Sequence, residues 1–445
     1  MKTRISTLFV RSILSNKLFN SQWFLGVVGV ILIPIDSHPF FPIPSENRPS
    51  WAIPFILLTI LELCRLRKLR KDVLFLLGFF VVFCTSTFIN YSFFEFGTSS
   101  VKSILVFLLC FPTILGVCCF LDFLLKEYGL KTLPVIMVKL FLAASVLPLL
   151  VGLVQFISYR TYPQIGVFVT HLFSFRVDPQ RMQLVSGEPF WASTFVLFVF
   201  FLVTLFAEFR RKLLLQIVLI LVVFLVSSSL VYIYVLLTFL LLFLFYLKKR
   251  TLLYFLFLIP LLIVSVSFIY SLLPGYTQGR IGTIIGLVSN VSVENFKTVA
   301  SIDWSFMIRF FNPLFAFLEG FSRPLFGHGI GNFKEYVVLL YENAGMVGYP
   351  GPTSDWILAA GATPKAFLAK LLFEGGFVVL IPYLGVIVVM AYHFTRRNNK
   401  EMLLLLLFSF IIGLNEDSYL HFTNIWVLST LYTIRRHHMY SMSTN

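Results

Sequence analysis

The chain has 445 residues, of which 58% are hydrophobic and only 12% are charged, and its formal net charge at pH 7 is +15. Soluble domains are nearer half apolar and a quarter charged, so this composition excludes an ordinary soluble protein and indicates a polytopic membrane protein. The positive charge is distributed in short clusters between apolar segments, which argues against a nucleic-acid partner. The cysteines lie in or beside apolar segments without metal-binding spacing and are predicted to be small buried hydrophobes.

Apolar segments of a length that crosses a ~30 Å hydrocarbon core as a helix recur along the chain. Backbone amides have no water partner in lipid, so helices are the expected spanning form and the predicted fold class is all-α. A single helix over 213–247 is too long for one span, so the serines at 227–229 predict a tight turn between two short helices. Twelve spans are predicted, at 22–35, 51–64, 73–90, 102–122, 133–157, 189–207, 213–227, 229–247, 252–272, 366–391, 401–414 and 419–434.

The clusters of lysine and arginine set the expected orientation, because cytoplasmic loops carry an excess of both residues. When all clusters are cytoplasmic, the spans come in pairs, and residues 1–445 form one polytopic membrane domain with both termini in the cytoplasm. The first apolar segment is then a retained span. Two larger connections face outward. They are a first external loop at 158–188 and a large external loop at 273–365, which is predicted to contain short helices.

The two external loops hold more arginine than the topology rule predicts. The residues are Arg160, Arg176, Arg181, Arg280, Arg309 and Arg323. Arginine stays charged and binds phosphate oxygens through a planar fork of donors. The sequence therefore predicts an outward pocket for a lipid-linked phosphate or diphosphate.

Each candidate residue also has a purely structural interpretation. Glu188 precedes a proline that favours the first turn of a helix, where a carboxylate is stabilised by the helix dipole. Arg181 fits a solvated loop, and Arg309 fits an interfacial position at which arginine extends its charge toward water. His328 fits a glycine-rich turn that leads into a helix, and Lys365 fits an anchor at the membrane interface.

Motifs of soluble enzymes are absent from the sequence. It contains no GxxxxGK[ST], HExxH or GxSxG pattern, and its GHGIGN stretch does not follow a strand as a dinucleotide-binding turn does. Pairs of aspartates that hold a metal and a nucleotide sugar are also absent. We therefore expect no metal, no cofactor and no nucleotide-sugar donor.

Three stretches, in this order, carry a family resemblance. They are RMQLVSGEPFWAS at 181–193, SFMIRFFNPLFAFLEGFSRPLFGHGIGNF at 305–333 and PKAFLAKLLFEGGFVVLIPYL at 364–384. Together they resemble the superfamily of O-antigen polymerases (Wzy) and O-antigen ligases, which are bacterial membrane glycosyltransferases. The resemblance spans roughly residues 160–390. One departure is that many members have His-Asn where this chain has Pro364-Lys365, so the histidine base proposed for the family has no counterpart there.

The resemblance implies a metal-independent glycosyl transfer from an undecaprenyl-diphosphate donor in the bacterial inner membrane. It further implies a lipid-linked oligosaccharide and the bilayer as partners, with a chain-length regulator as a further partner. Arg181 and Arg309 are the expected diphosphate contacts, and Glu188 or His328 is expected to act on the acceptor hydroxyl. The expected substrate-binding residues around them are Arg176, Lys365, Arg323 and Arg280.

Three other functions are compatible with parts of the sequence. A ligase of the same superfamily would transfer the finished glycan to another acceptor. A transporter or flippase would also suit twelve spans, but transporters usually place their sites at mid-membrane between repeated halves, and no such pairing of halves is found here. A structural or signalling role is the fourth possibility.

Overall fold

A computed structural model describes residues 21–35, 50–65, 71–91, 98–174, 182–208, 210–226, 229–246, 282, 304–347, 353–359, 363–414, 416 and 418–443. Over these ranges the regular structure is helical, which confirms the predicted all-α class. The helices are α1 (Ser21–Leu32), α2 (Ala52–Arg65), α3 (Lys71–Tyr91), α4 (Thr98–Tyr128), α5 (Leu133–Thr161), α6 (Pro163–His171), α7 (Pro189–Phe206), α8 (Lys212–Leu225), α9 (Ser229–Tyr246), α10 (Trp304–Gly320), α11 (Phe333–Asn343), α12 (Ser354–Ala359), α13 (Phe367–Arg396), α14 (Lys400–Gly413) and α15 (Phe422–Ser443).

Each predicted span that falls on described residues coincides with a helix, and the span at 252–272 lies outside them. Among the described helices, α4, α5, α7 and α13 are long and apolar enough to cross a membrane. These helices indicate a protein embedded in a membrane. The break between α8 and α9 confirms the prediction of two helices over 212–246.

Helix α7 is enclosed by the rest of the bundle. It carries no charged side chain, and its residues from Phe195 to Val203 are buried on every side. It packs against α5, α8 and α9, and the Phe201 ring stacks on Phe408 of α14 at 4.3 Å between centroids. A helix that is apolar all round is expected to be buried in this way. Its N-terminal end carries Glu188.

Helix α5 presents an apolar face to the outside of the bundle. Val146, Leu150, Leu153 and Ile157 recur at helical spacing, and each is more than half exposed. An exposed apolar stripe of this kind is suited to lipid acyl chains and not to water.

The cysteines differ from the prediction of burial. Cys110 is buried, Cys64 is exposed and the other three are half-buried, and all five are free thiols. Lipid on the outer face of a helix is as apolar as the protein interior, so a cysteine in a span does not need to point inward.

The connection predicted at 158–188 begins as helix. Helix α5 continues to Thr161 and stops at Tyr162, whose φ of −133° and ψ of 82° are not helical. The residue that precedes a proline disfavours helical angles, and Pro163 then opens α6. The helix therefore extends beyond the apolar segment from which its end was predicted.

Candidate functional site

The segment that leads into α7 is not a solvated loop, because residues 182–187 are buried. The side-chain amide of Gln155 accepts hydrogen bonds from the backbone N–H groups of Gln183 (3.1 Å) and Leu184 (2.9 Å) and donates one to the Leu184 carbonyl (2.7 Å). Leu184 also has a φ of 57°, which residues other than glycine rarely adopt. Gln155 thus holds the backbone that positions Glu188.

Glu188 and Arg309 form an ion pair between the two predicted loops. Glu188 is the N-cap of α7, as Pro189 predicts, but its side chain makes no capping hydrogen bond. Instead its Oε2 atom lies 3.5 Å from Nη2 of Arg309, and the two side chains are 32% and 20% exposed. The Arg309 guanidinium also lies 4.8 Å from the centre of the Phe190 ring. The pair is sheltered but remains accessible to a ligand.

A buried hydroxyl lies beside this pair. Tyr234 on α9 is 3% exposed, and its ring centroid is 5.8 Å from that of Phe190. Its hydroxyl has no hydrogen-bond partner within the described ranges, and it is within electrostatic range of Arg309 and Glu416. Buried polar atoms are normally hydrogen-bonded, so this hydroxyl is an exception that lies next to the ion pair.

Glu416 and His421 were missed by the sequence analysis: Glu416 falls between the predicted spans 401–414 and 419–434, and His421 falls inside the second of them. Glu416 and His421 are 2% and 0% exposed, and the distance from Oε2 to Nε2 is 3.7 Å. The His421 ring lies 5.0 Å from that of Trp191, in the first turn of α7. The signal in the sequence was an acidic residue and a histidine at the junction of two apolar segments, where ionisable groups are functional candidates.

The glycine-rich turn at 323–332 is hydrogen-bonded to a break in α13. Gly376 has φ 63° and ψ −163°, which interrupts the helix and leaves backbone groups without helical partners. The turn supplies those partners through four bonds: His328 N to Phe373 O (2.6 Å), Gly329 N to Glu374 O (2.9 Å), Phe377 N to Pro324 O (2.7 Å) and Val378 N to Leu325 O (3.2 Å). The turn then opens α11 at Phe333, as predicted.

His328 is an internal residue of this turn and is 2% exposed. Its ring stacks on Phe373 at 4.5 Å, and its Nε2 atom lies 3.1 Å from the backbone carbonyl of Glu319. Burial lowers the pKa of His328, and the nearby Arg323 guanidinium lowers it further. Glu319 is about 15 Å along the axis of α10 from Arg309. The structure therefore does not bring His328 to the ion pair.

Glu374 is a third residue that the sequence analysis missed, although it lies in the third resembling stretch. It is 1% exposed, accepts a hydrogen bond from the N–H of Gly331 (3.0 Å) and accepts another from the Tyr419 hydroxyl. The ammonium of Lys370 lies 4.3 Å above the Tyr419 ring. Glu374 therefore connects the turn to the segment that holds Glu416 and His421.

Lys365 lies just before α13, close to the part of α10 that carries Arg309. Asn312, one turn after Arg309 on α10, donates to the carbonyl of Thr363 at 2.8 Å, which fastens the start of α13 to α10. Lys365 follows two residues later and has a φ of 57°, a strained angle for a residue other than glycine. Arg323, by contrast, lies beside His328 at the far end of α10. Arg176, Arg181 and Arg280 lie outside the described residues.

Across the described ranges, no three His, Cys, Asp or Glu side chains are grouped closely enough to bind a metal ion. Comparison with models of known protein families gives no match, and no curated protein is detectably similar to the chain.

Proposed function

We propose that the protein is a polymerase of O-antigen or a related surface polysaccharide. It joins undecaprenyl-diphosphate-linked repeat units at the outer face of the bacterial inner membrane. The observation that carries this proposal is the ion pair between Glu188 and Arg309. It joins two of the three resembling stretches at a sheltered position, and it combines a cation suited to diphosphate with a carboxylate suited to an acceptor hydroxyl.

The proposed topology has twelve spans, both termini in the cytoplasm, and the segments 158–188 and 273–365 outside. The location of the charges supports it. Lys126, Arg435 and Arg436 line one cavity. The two arginines lie at the end of α15 that is about 20 Å along the helix axis from His421. The ion pair belongs to the opposite end, because Tyr234 is within electrostatic range of both Arg309 and Glu416. A basic end is expected on the cytoplasmic side.

The proposed reaction is one displacement at the anomeric carbon of the donor glycan. The acceptor hydroxyl oxygen forms a bond to this carbon while the bond from the carbon to the diphosphate oxygen breaks. The electron pair of the broken bond leaves with undecaprenyl diphosphate, whose charge Arg309 stabilises, with Arg181 and Lys365 as further cations. The hydroxyl proton passes to the Glu188 carboxylate.

Donor binding and base activation are coupled in this scheme. In the free protein, the guanidinium of Arg309 is paired with the carboxylate of Glu188. A bound diphosphate competes for the same guanidinium and releases the carboxylate toward the acceptor. His328 and Glu374 act as positioning residues, since the His328 N–H donates to the Phe373 carbonyl of α13 and Glu374 accepts from the Gly331 N–H of the turn.

The test begins with deletion of the gene. Loss of a polymerase leaves surface lipid with a single repeat unit, whereas loss of a ligase leaves none attached and loss of a flippase strands units on the inner face. A normal long-chain ladder in the deletion strain would exclude the polymerase function, and either of the other two phenotypes would favour the corresponding alternative.

Complementation then tests the site. We expect Arg309→Ala and Arg181→Ala to abolish chain growth while the proteins still accumulate in the membrane. Arg309→Lys should also be impaired, because an ammonium lacks the planar fork. Glu188→Gln should slow polymerisation by roughly 10²–10⁴-fold, the usual contribution of a general base.

The matched control is Arg160→Ala, an exposed arginine at the end of α5 whose guanidinium lies over Phe156. Long chains in both alanine variants of Arg309 and Arg181 would remove the assignment.

A further inference from the structure

The cavity lined by Lys126, Arg435 and Arg436 lies away from the ion pair. It has a volume of about 840 Å³, lies between α2, α3, α4, α13 and α15, and does not have Glu188 or Arg309 in its lining. Its walls are apolar over most of their length, with Phe80, Phe107, Ile114, Leu371 and Val386 among them. This volume is in the range of specific ligand sites.

One end of this cavity is charged. Lys126 of α4 and Arg435 and Arg436 of α15 line it there. Arg436 is paired with Asp122, whereas the Nε atom of Arg435 is buried and has no hydrogen-bond partner in the part of the chain that the structure describes. Glu62 and Asp122 also line the cavity, so three basic side chains face two acidic ones. The cavity therefore combines an apolar body with a charged end of net positive charge, called the cationic mouth below.

Two histidines lie next to the cationic mouth, outside the lining of the cavity. His393 follows the lining residue Met390 by one turn of α13, and its ring lies 5.9 Å from that of His438 on α15. Burial lowers the pKa of His438, and the positive charge of Arg397 lowers it further. The Nε2 atom of His393 is also buried without a hydrogen-bond partner among described residues. The positive charge at this end comes from the lysine and arginines, and a cation with an unused buried N–H such as Arg435 is suited to an anion.

We propose that this cavity binds an anionic glycerophospholipid of the bilayer, with its phosphate at Arg435 and Lys126 and an acyl chain in the apolar body. A free anion would leave the apolar walls empty, and an uncharged lipid would leave the cationic mouth without a counter-charge. A bilayer phospholipid supplies both parts at the level where the helices end. The site is independent of the proposed polymerase site, so either proposal can fail alone.

The chain offers matched variants for this cavity. Gly385 lines it, and a Cβ atom added there meets no atom within 4 Å, so Gly385→Leu can add an apolar side chain at the cavity wall. Gly78 on α3 is equally open but does not line the cavity, which makes Gly78→Leu its control. Arg435→Ala removes the cation at the mouth. Its control is Arg396→Ala, which removes an exposed charge at the end of α13 that does not line the cavity.

The experiment is native mass spectrometry of the full chain in detergent, titrated separately with phosphatidylglycerol, undecaprenyl phosphate and inorganic phosphate. We expect the wild type to retain one phosphatidylglycerol, and Arg435→Ala to weaken its binding about tenfold, as the loss of one charge-assisted hydrogen bond implies. Gly385→Leu should weaken it at least as much, and both controls should bind like the wild type.

Three results would overturn the proposal. They are equal retention by Gly385→Leu and Gly78→Leu, displacement of the lipid by inorganic phosphate alone, and preferential binding of undecaprenyl phosphate. A long-chain ladder from cells that carry Gly385→Leu would show that the polymerase site is intact in the same variant.

Discussion

Gly327 is a position at which the turn lies directly against the break in α13. Its φ is 65°, and a Cβ atom there would lie 2.5 Å from the Phe373 carbonyl oxygen and 2.7 Å from the backbone nitrogen of Gly376. Gly327→Ala therefore imposes two separate costs. A left-handed angle costs an alanine about 1–2 kcal/mol, and relief of the contact requires the turn to move by about 1 Å, to an ordinary separation of about 3.5 Å.

That movement would break the hydrogen bonds that join the turn to α13. The bond from His328 N to Phe373 O is 2.6 Å long, and three more backbone bonds lie beside it. Each is worth about 0.5–1.5 kcal/mol, so their loss adds about 2–6 kcal/mol to the cost of the left-handed angle. Gly345→Ala is the matched control, because Gly345 has a φ of 64° and no atom within 4 Å of an added Cβ. It should cost only about 1–2 kcal/mol.

The free energy of unfolding of both variants can be measured by titration with sodium dodecyl sulfate in mixed micelles. We expect Gly327→Ala to be less stable than Gly345→Ala by about 2–6 kcal/mol, the sum of the four backbone bonds. We also expect it to lose long-chain polysaccharide, because Glu374 depends on the Gly331 N–H for one of its bonds. Equal losses of stability in the two variants would refute the packing of the turn against α13.

Two further predictions concern the segments on either side of the site. Gln155→Leu removes the acceptor of two buried N–H groups, those of Gln183 and Leu184. It should destabilise the protein by about 1–3 kcal/mol for each group, and Gln216→Leu, a half-buried control on α8, should cost less in the same titration. His328 is held neutral by burial, with its pKa below the ordinary value of about 6.5. The unfolded chain binds the proton more readily, so stability should be full above about pH 6.5 and fall as the pH drops below it. Thermal unfolding between about pH 8 and 5.5 should show a smaller loss of stability for His328→Gln than for the wild type. An equal dependence of stability on pH in the two proteins would contradict this assignment.

The sequence by itself determined the helical architecture and some local features. The apolar segments predict where helices occur because burial of backbone amides in lipid requires internal hydrogen bonds, whatever the neighbouring helices are. Pro189 predicts that Glu188 stands at the start of α7, because a proline is tolerated at the first helical position and hardly at all inside a helix. Pro163 could have located the end of α5 by the same reasoning.

Only the tertiary structure decided which charges meet. Glu188 and Arg309 are far apart in the chain, and no local pattern shows that α7 and α10 approach each other at these positions. The break in α13, the burial of Glu374 and the pairing of Glu416 with His421 have the same origin. A buried charge or an unpaired backbone group is tolerated only when another segment supplies its partner, and that partner is set by packing between helices and not by the periodicity of either one.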